Sequence, residues 1–340
     1  MSQSVKDTRL AVVKEWLTGL APRYGLQMDT LAAASADASF RRYFRLSGEQ
    51  GGTFIVMDAP PPQENIVPFV KVDRLMESAG LNVPHLFETD EAQGLILMSD
   101  LGRQTYLDVL NEENAFGLFD AATDALVAWQ KISRPGVLPE YDHAVLKREI
   151  DLFPEWYVAR HRGYQMNDRQ KEIVGACFEK IIAHNLAEQR VFVHRDFMPR
   201  NLMVSTPNPG VIDFQDALYG PVSYDIASLM RDAFVSWGES FVLDVTIRYW
   251  EKARKAGIPV PSDFGTFWED VEWMGMQRHL KVLGIFARIN YRDGKPKYLA
   301  DTPRFINYVR QTSNRYHDLK PINWLLDEFE EEKSRHEWTF

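Results

Sequence analysis

The residues best suited to chemistry stand together in the segment His194-Arg195-Asp196-Phe197-Met198-Pro199-Arg200-Asn201, which is followed by Ile212-Asp213-Phe214. Asp196 is a carboxylate that could accept the proton of an attacking hydroxyl. Asn201 could turn an amide oxygen to a Mg²⁺ ion, and Asp213 could reach the same ion from a neighbouring strand. Aligned oxygens and bound cations supply most of the catalysis in phosphoryl transfer, so the pattern H-R-D-x-x-x-x-N with a downstream D-F predicts that chemistry.

Short strands must position these side chains. The apolar run Val191-Phe192-Val193 predicts a strand directly before the motif, and the stretches 202–204 and 210–212 predict a hairpin after it. Acidic residues in a loop beside a hairpin are common in any protein, but an eight-residue motif between predicted strands favours the catalytic interpretation. We expect His194 to be a packed, hydrogen-bonded residue that supports the loop rather than a base.

The N-terminal part of the chain is predicted to be a small sheet with helices. Two strands are predicted at 43–46 and 53–57 around a glycine-rich turn, then a helix over about 65–79 that ends at Gly80, then a hairpin at 86–98. After residue 101 apolar spacing predicts helices near 105–110, 113–132 and 168–187, and again from 224 to the C-terminus. The sequence therefore predicts an α+β, bilobal protein that has a β-rich N-terminal lobe over 1–101 and a mainly helical lobe over 102–340.

Composition excludes several classes of protein. The 39 basic and 48 acidic residues give a net charge of −9, which argues against a nucleic-acid partner. No apolar run approaches the ~18 residues that a membrane span requires. Cys177 is the single cysteine, so an internal disulfide is impossible, and we expect a cytoplasmic protein with no obligate protein partner.

The segment 191–229 resembles the aminoglycoside phosphotransferase-like branch of the protein-kinase-like fold. The resemblance rests on the motif above and on Gly220-Pro221-Val222-Ser223-Tyr224-Asp225-Ile226-Ala227-Ser228-Leu229. It implies ATP and Mg²⁺ as cofactors, Asp196 as the residue that orients the acceptor hydroxyl, and Asn201 and Asp213 as metal ligands. It also implies that Asp225 braces the loop through backbone amides. For Asp216 a supporting role beside the metal and simple strand-end polarity both stay open.

A closer resemblance is to the bacterial anomeric sugar kinases that act on N-acetylmuramate and N-acetylglucosamine during cell-wall recycling. Three segments carry it, at 36–45, 57–61 and 277–288. The resemblance implies an amino sugar as the acceptor and a sugar 1-phosphate as the product.

The nucleotide side departs from the protein-kinase pattern. No glycine lies between Leu31 and Arg45, and small residues over 34–39 could let backbone amides approach phosphate instead. The third strand carries Met57-Asp58 where a lysine is expected, so an arginine from Arg41, Arg42 or Arg45 could supply the cation, or these arginines are solvated strand ends. The segment from Met98 to Asp100 is the predicted hinge. The predicted nucleotide-binding residues are Ala38, Ser39, Phe40, Arg41, Arg45, Met98 and Asp100.

The predicted acceptor-binding residues are Arg200, Trp237, Arg278 and His279. Arg200 lies inside the catalytic loop, and a cation at Arg278 would suit an acidic sugar such as N-acetylmuramate. The alternative is a structural role in a salt-bridged helix and, for Trp237, in the core of the helical lobe.

Two other functions stay open. A kinase of another small alcohol, such as an aminoglycoside or choline, would keep the same loop but needs carboxylates for a cationic acceptor. A non-catalytic nucleotide-binding pseudokinase would explain the absent lysine, but not the presence of Asp196, Asn201 and Asp213 together.

Overall fold

The computed structural model describes residues 8–36 and 40–337. The chain divides into two compact units. The first contains residues up to Thr105 and the segment Asn201–Asp216, and the second contains Tyr106–Arg200 and the residues from Ala217 onward. None of the helices within the described ranges combines the length and apolar character that crossing a bilayer requires.

The first unit is built on a five-stranded antiparallel sheet with the strand order β1-β2-β3-β5-β4. The strands are β1 (Leu26–Ala36), β2 (Arg42–Gly48), β3 (Gly52–Asp58), β4 (Leu86–Asp90) and β5 (Leu95–Ser99). The hairpin of β2 and β3 pairs Arg42 with Asp58 and Gly48 with Gly52, as the glycine-rich turn predicts. β1 was not predicted as a strand, because its alanines and serine do not have the apolar alternation that indicates one.

Two helices and a second hairpin complete this unit. Helix α1 (Thr8–Tyr24) buries Val13 and Leu17 in one apolar cluster with Phe44, Val56 and Leu97 of the sheet. Helix α2 (Val67–Ser78) is followed by Gly80 at φ 80°, a left-handed conformation that glycine adopts without strain. The hairpin consists of β7 (Leu202–Met203) and β8 (Gly210–Val211).

The hairpin packs with the N-terminal elements. The Phe69 ring of α2 lies 4.8 Å from the Phe214 ring, and the Val211 amide donates to the Asn82 carbonyl at 2.7 Å. These contacts fix the position of both Asn201 and Asp213 within the first unit.

The second unit is mainly helical, with a two-stranded sheet of β6 (Arg190–Val193) and β9 (Leu218–Pro221). Its α-helices are α3 (Tyr106–Val109), α4 (Ala115–Lys131), α5 (His143–Ile150), α6 (Asp168–Ala187), α7 (Tyr224–Met230), α8 (Glu239–Lys255), α9 (Phe264–Asp293), α10 (Thr302–Arg315) and α11 (Lys320–Glu337). The other helical segments are a π-helix (Phe153–His161) and three 3₁₀ turns (Pro199–Asn201, Pro296–Asp301 and His317–Leu319). The first of these turns ends at Asn201, which belongs to the first unit.

Helix α9 is the centre of the second unit. It is 30 residues long, and 16 of them are buried, including polar residues such as Gln277, Arg278, His279 and Lys281. At Gly284 an added Cβ would lie 2.3 Å from the carbonyl carbon of Leu152, so only glycine permits this close approach. Buried polar groups on a central helix need hydrogen-bonding or charged partners.

Candidate functional site

The predicted catalytic loop begins where β6 ends. The Arg195 backbone has φ 75°, an uncommon left-handed conformation for an arginine. Asp225, in the first turn of α7, accepts the amide N–H of His194 at 2.7 Å and that of Arg195 at 3.1 Å. This fully buried carboxylate therefore holds two consecutive amides and with them the unusual turn.

The surroundings of His194 and Asp225 suit residues that support the loop. His194 is 1% exposed, and its Nδ1 accepts the amide N–H of Asp196 at 3.2 Å. Burial raises the pKa of Asp225 to about 7, against the opposing effects of the two amides and of Arg278. Both residues thus hold the loop that presents Asp196.

The Arg195 side chain enters a buried network that the sequence did not predict. Its guanidinium pairs with Glu149 of α5, and Lys281 of α9 lies 3.2 Å from the same carboxylate. Tyr141 donates its hydroxyl to Glu149, and Lys281 donates to the hydroxyl of Tyr224 at 3.1 Å. Burial opposes ionisation of Glu149, but Lys281 and Arg195 lower its pKa overall.

The network also acts on Lys281. Burial would lower the pKa of Lys281, but Glu149, Tyr224 and Asp196 raise it overall. Lys281 is therefore a cation that shares the electrostatic surroundings of the predicted base. No motif spacing points to Glu149 or Lys281; the available signal was that a buried arginine after a strand needs a carboxylate partner.

The predicted metal ligands meet within the first unit. The Asn201 amide nitrogen donates to Asp213 Oδ2 at 3.3 Å, and Gln215 Nε2 donates to Asp213 Oδ1 at 2.9 Å. Asp213 has φ 65°, a conformation that aspartate tolerates better than most residues. Carboxylate and amide oxygens are hard donors, so the chemistry of this pair fits Mg²⁺. Rotation of the Asn201 amide would present its oxygen.

The predicted nucleotide-binding residues have different surroundings in the first unit. Phe40 is 68% exposed, and Met98 is buried on β5. Arg45 and Asp100 bind each other, with Nη2 to Oδ1 at 2.9 Å. Ala38 and Ser39 lie outside the described residues.

Arg41 and Asp216 share a charged environment. Arg41 Nε lies 3.3 Å from the carboxylate of Glu64. Burial would lower the pKa of Arg41, but Tyr43, Glu64, Asp213 and Asp216 raise it overall. Asp216 is therefore close enough to Arg41 to act on its charge.

Arg200 and Trp237, two of the four predicted acceptor-binding residues, contact phenylalanine rings. The Arg200 guanidinium lies 5.2 Å from the ring centre of Phe234, in a cation–π arrangement. Trp237 packs against Phe119 and Phe241, with ring centres 5.8 and 4.9 Å away. Its buried indole nitrogen has no hydrogen-bond partner among the residues that the structure describes.

Arg278 and His279 are buried on α9. The Arg278 guanidinium lies 5.5 Å from the ring centre of Tyr224. The His279 ring lies 4.9 Å from that of Tyr308, and burial, with help from Arg231 and Arg278, holds its pKa well below the usual value. Within the described ranges, Arg278 Nε and Nη1 and both ring nitrogens of His279 are buried without a hydrogen-bond partner.

Asp232 is a further residue of this region that sequence reasoning missed. It is 2% exposed, and its Oδ1 accepts the amides of Phe234 and Val235 at 2.8 and 3.1 Å. Burial raises its pKa, and Arg278 opposes that rise. Its Oδ2 is buried without a hydrogen-bond partner in the described part of the chain. Such orphaned polar atoms in a core are the usual signature of bound water or of a ligand site.

Comparison with known families and curated proteins places this geometry in context. Residues 30–260 match the model of the phosphotransferase enzyme family. A curated protein of Pseudomonas aeruginosa, called N-acetylmuramate/N-acetylglucosamine kinase, is 54% identical over 296 residues, which are 87% of each chain. A protein with the same name from Pseudomonas putida is 52% identical over 88% of each chain. Another from Neisseria meningitidis is 48% identical over 93% of this chain and 94% of its own.

Solved structures with the same fold are more distant in sequence. A choline kinase from Streptococcus pneumoniae superposes with a TM-score of 0.63 at 14% identity, covering 89% of this chain and 99% of its own. The amicoumacin kinase hAmiN, in complex with AMP-PNP, Ca²⁺ and Ami, has a TM-score of 0.61 at 15% identity, covering 86% and 91%. The predicted α+β, protein-kinase-like fold is confirmed.

The Asp225 contacts give a test that needs no assay of activity. Asp225→Asn keeps one acceptor oxygen but replaces the other with an amide donor, so one of the two backbone amides loses its partner. We expect amide hydrogen exchange in a peptide covering 191–197 to accelerate by about tenfold or more, which corresponds to the ~1–3 kcal/mol cost of an unsatisfied buried group.

Asp263→Asn is the matched control. Asp263 caps α9 by accepting the Thr266 amide at 2.8 Å, and asparagine caps equally well. Exchange in 191–197 should stay unchanged there. Equal protection in the Asp225 variant and the wild type would contradict the bracing role.

Proposed function

The chain belongs to the phosphotransferase enzyme family, and we propose that it is the member that uses ATP and Mg²⁺ to phosphorylate the anomeric hydroxyl of N-acetylmuramate and N-acetylglucosamine. It is an ATP-dependent phosphotransferase whose acceptor is an alcohol group. The products would be the two sugar 1-phosphates, formed from free amino sugars of cell-wall recycling.

The observation that carries the proposal is identity of 48–54% with three curated amino sugar kinases over 87–93% of this chain. Identity at this level extends well beyond the catalytic motif, whose 39-residue segment is common ground for kinases with many acceptors. It therefore supports a shared acceptor as well as a shared reaction.

Asp196 is the proposed base. The loop geometry supports this role, since Asp225 holds the two amides that precede Asp196 and His194 holds the amide of Asp196 itself. The anomeric hydroxyl is more acidic than an ordinary alcohol because the ring oxygen withdraws charge, so a carboxylate suffices to orient it and receive its proton. Loose phosphoryl transfer places little further demand on the nucleophile.

Asn201 and Asp213 are the proposed holders of Mg²⁺. A bound Mg²⁺ would neutralise charge on the phosphoryl group during transfer. The contribution of the chain is to keep the two ligands adjacent through the β7–β8 hairpin, where the Ile212 amide donates to the Asn201 carbonyl at 3.1 Å. Gln215 holds the other oxygen of Asp213.

The buried polar cluster of Asp232, Arg278 and His279, with Trp237 nearby in sequence, is the proposed acceptor site. Arg278 would pair with the lactyl carboxylate of N-acetylmuramate, while neutral His279 and the Trp237 N–H would serve hydroxyl or N-acetyl groups. A buried arginine disfavours the alternative of a cationic acceptor such as choline. The presence of Asp196, Asn201 and Asp213 disfavours a pseudokinase.

The reaction is tested with a sugar panel, ATP and Mg²⁺, with the phosphate position read by NMR. Both N-acetyl sugars should give 1-phosphates, and the methyl glycoside of N-acetylglucosamine, whose anomeric oxygen is blocked, should be inert. The 6-deoxy sugar is the control and should react normally. Phosphorylation of the methyl glycoside, or reaction at the 6-hydroxyl, would make the anomeric assignment wrong.

The base is tested by Asp196→Asn, which is nearly isosteric and should fold normally. Turnover should fall by about 10²–10⁴-fold, the usual contribution of general base catalysis, with little change in KM for either substrate. Asp142→Asn is the control, because Asp142 caps α5 and asparagine preserves the cap. A folded Asp196 variant with wild-type turnover would remove this residue from the mechanism.

The acceptor site is tested by Arg278→Met, which removes charge and keeps bulk. Because only N-acetylmuramate carries a carboxylate, its KM should rise by about tenfold to hundredfold while that of N-acetylglucosamine changes far less. Arg292→Met is the control on the same helix, since Arg292 is exposed and paired with Asp293. Equal effects of Arg278→Met on the KM of the two sugars would contradict the proposed contact between Arg278 and the lactyl carboxylate.

A further inference from the structure

Three arginines at the start of β2 are candidates for the cation that the third strand lacks. Arg41, Arg42 and Arg45 lie within five residues of one another, and sequence reasoning could not choose among them. The contacts of their guanidinium groups in the first unit differ and separate them.

Arg42 neutralises a buried carboxylate. Its Nε and Nη2 lie 3.0 and 2.7 Å from Asp58 Oδ2, and Asp58 is fully buried at the end of β3. Arg9 of α1 binds the other oxygen at 2.6 Å. Removing Arg42 would leave this buried carboxylate short of a partner, so its role in the fold is structural.

Arg45 is also committed to the fold. Its guanidinium binds Asp100 with Nε to Oδ2 at 2.5 Å and Nη2 to Oδ1 at 2.9 Å, a two-pronged geometry. The same Nη2 donates to the Gly102 carbonyl at 2.7 Å. Arg45 therefore ties β2 to the segment after β5.

Arg41 has a different partner and a different electrostatic neighbourhood. Its Nε lies 3.3 Å from Glu64, in the loop between β3 and α2, and the two side chains are 13% and 17% exposed. The carboxylates that act on its charge include Asp213 and Asp216, at and just after the metal-binding hairpin. Arg41 is thus a largely buried cation in the electrostatic surroundings of the proposed metal ligand.

We propose that Arg41, oriented by Glu64, binds the terminal phosphates of ATP and replaces the lysine–glutamate pair that protein kinases use. The proposal rests on the ATP-dependent function above. In protein kinases a lysine on the third strand pairs with a helix glutamate and contacts phosphate. Here the cation stands before the second strand and the carboxylate before the helix, and the pair again joins one cation to one carboxylate.

A guanidinium is well suited to this position. It stays charged despite burial, and its fork matches two phosphate oxygens at once. Glu64 contacts the guanidinium at Nε, and Asp213 acts on the same charge. The guanidinium of Arg41 can therefore balance phosphate charge next to the proposed metal ligand, which is the task of the lysine ammonium in protein kinases.

The test measures nucleotide binding by the full chain with Mg²⁺ and without a sugar. The dissociation constants of ATP and adenosine are obtained by displacement of a fluorescent adenosine analogue. Arg41→Ala should weaken ATP by about tenfold to hundredfold and leave adenosine unchanged, since only ATP carries phosphates. Arg41→Lys should be intermediate, and Glu64→Gln should weaken ATP less than Arg41→Ala does.

Arg23→Ala is the matched control, because Arg23 is an exposed arginine of the same unit paired with Glu88. It should alter neither dissociation constant. Unchanged ATP binding in Arg41→Ala, or equal weakening of ATP and adenosine, would overturn the assignment. The readout contains no acceptor, so failure of sugar phosphorylation would contradict the proposed function without affecting this result. Conversely, a wild-type affinity of Arg41→Ala for ATP would contradict the role of Arg41 without contradicting the proposed phosphorylation of the sugars.

Discussion

A carboxylate removed from water holds the catalytic loop in place. Asp225 is fully buried, and its two oxygens accept the amides of His194 and Arg195. A left-handed arginine costs on the order of 1–3 kcal/mol, and two hydrogen bonds to one carboxylate are of a size that can offset it. The direction of Asp196 and the entry of the Arg195 side chain into the core both follow from this turn.

The same principle organises the first unit. Asp58 is held by Arg9 and Arg42, and Asp100 by Arg45, so both of these carboxylates have arginine partners. Two of the three arginines near the start of β2 thus serve the fold, while Arg41 pairs with Glu64. This difference in pairing is the basis for proposing Arg41 as the cation that binds phosphate.

The sequence predicted those parts of the molecule that are encoded by residues near one another in the chain. The apolar period predicts the 168–187 helix, and the glycine-rich turn predicts the β2–β3 hairpin. The motif spacing predicts that Asn201 and Asp213 lie close together. Partners distant in the chain carry no such signal. Glu149 lies 46 residues from Arg195, and Arg45 lies 55 residues from Asp100, so only the folded chain could reveal either pair. No pattern indicates that the 201–216 hairpin packs with the N-terminal elements.

The partner of Arg195 has a consequence for how the charge of this loop is balanced. In many kinases an arginine cluster receives its counter-charge only when a phosphate is added to a loop. Here Glu149 of α5 supplies the counter-charge, and Lys281 of α9 contacts the same carboxylate oxygen. Packing of α5 therefore brings the counter-charge of Arg195, and packing of α9 brings a second cation to the same carboxylate. The charge pairing that other kinases gain from an added phosphate is, at this arginine, a product of folding.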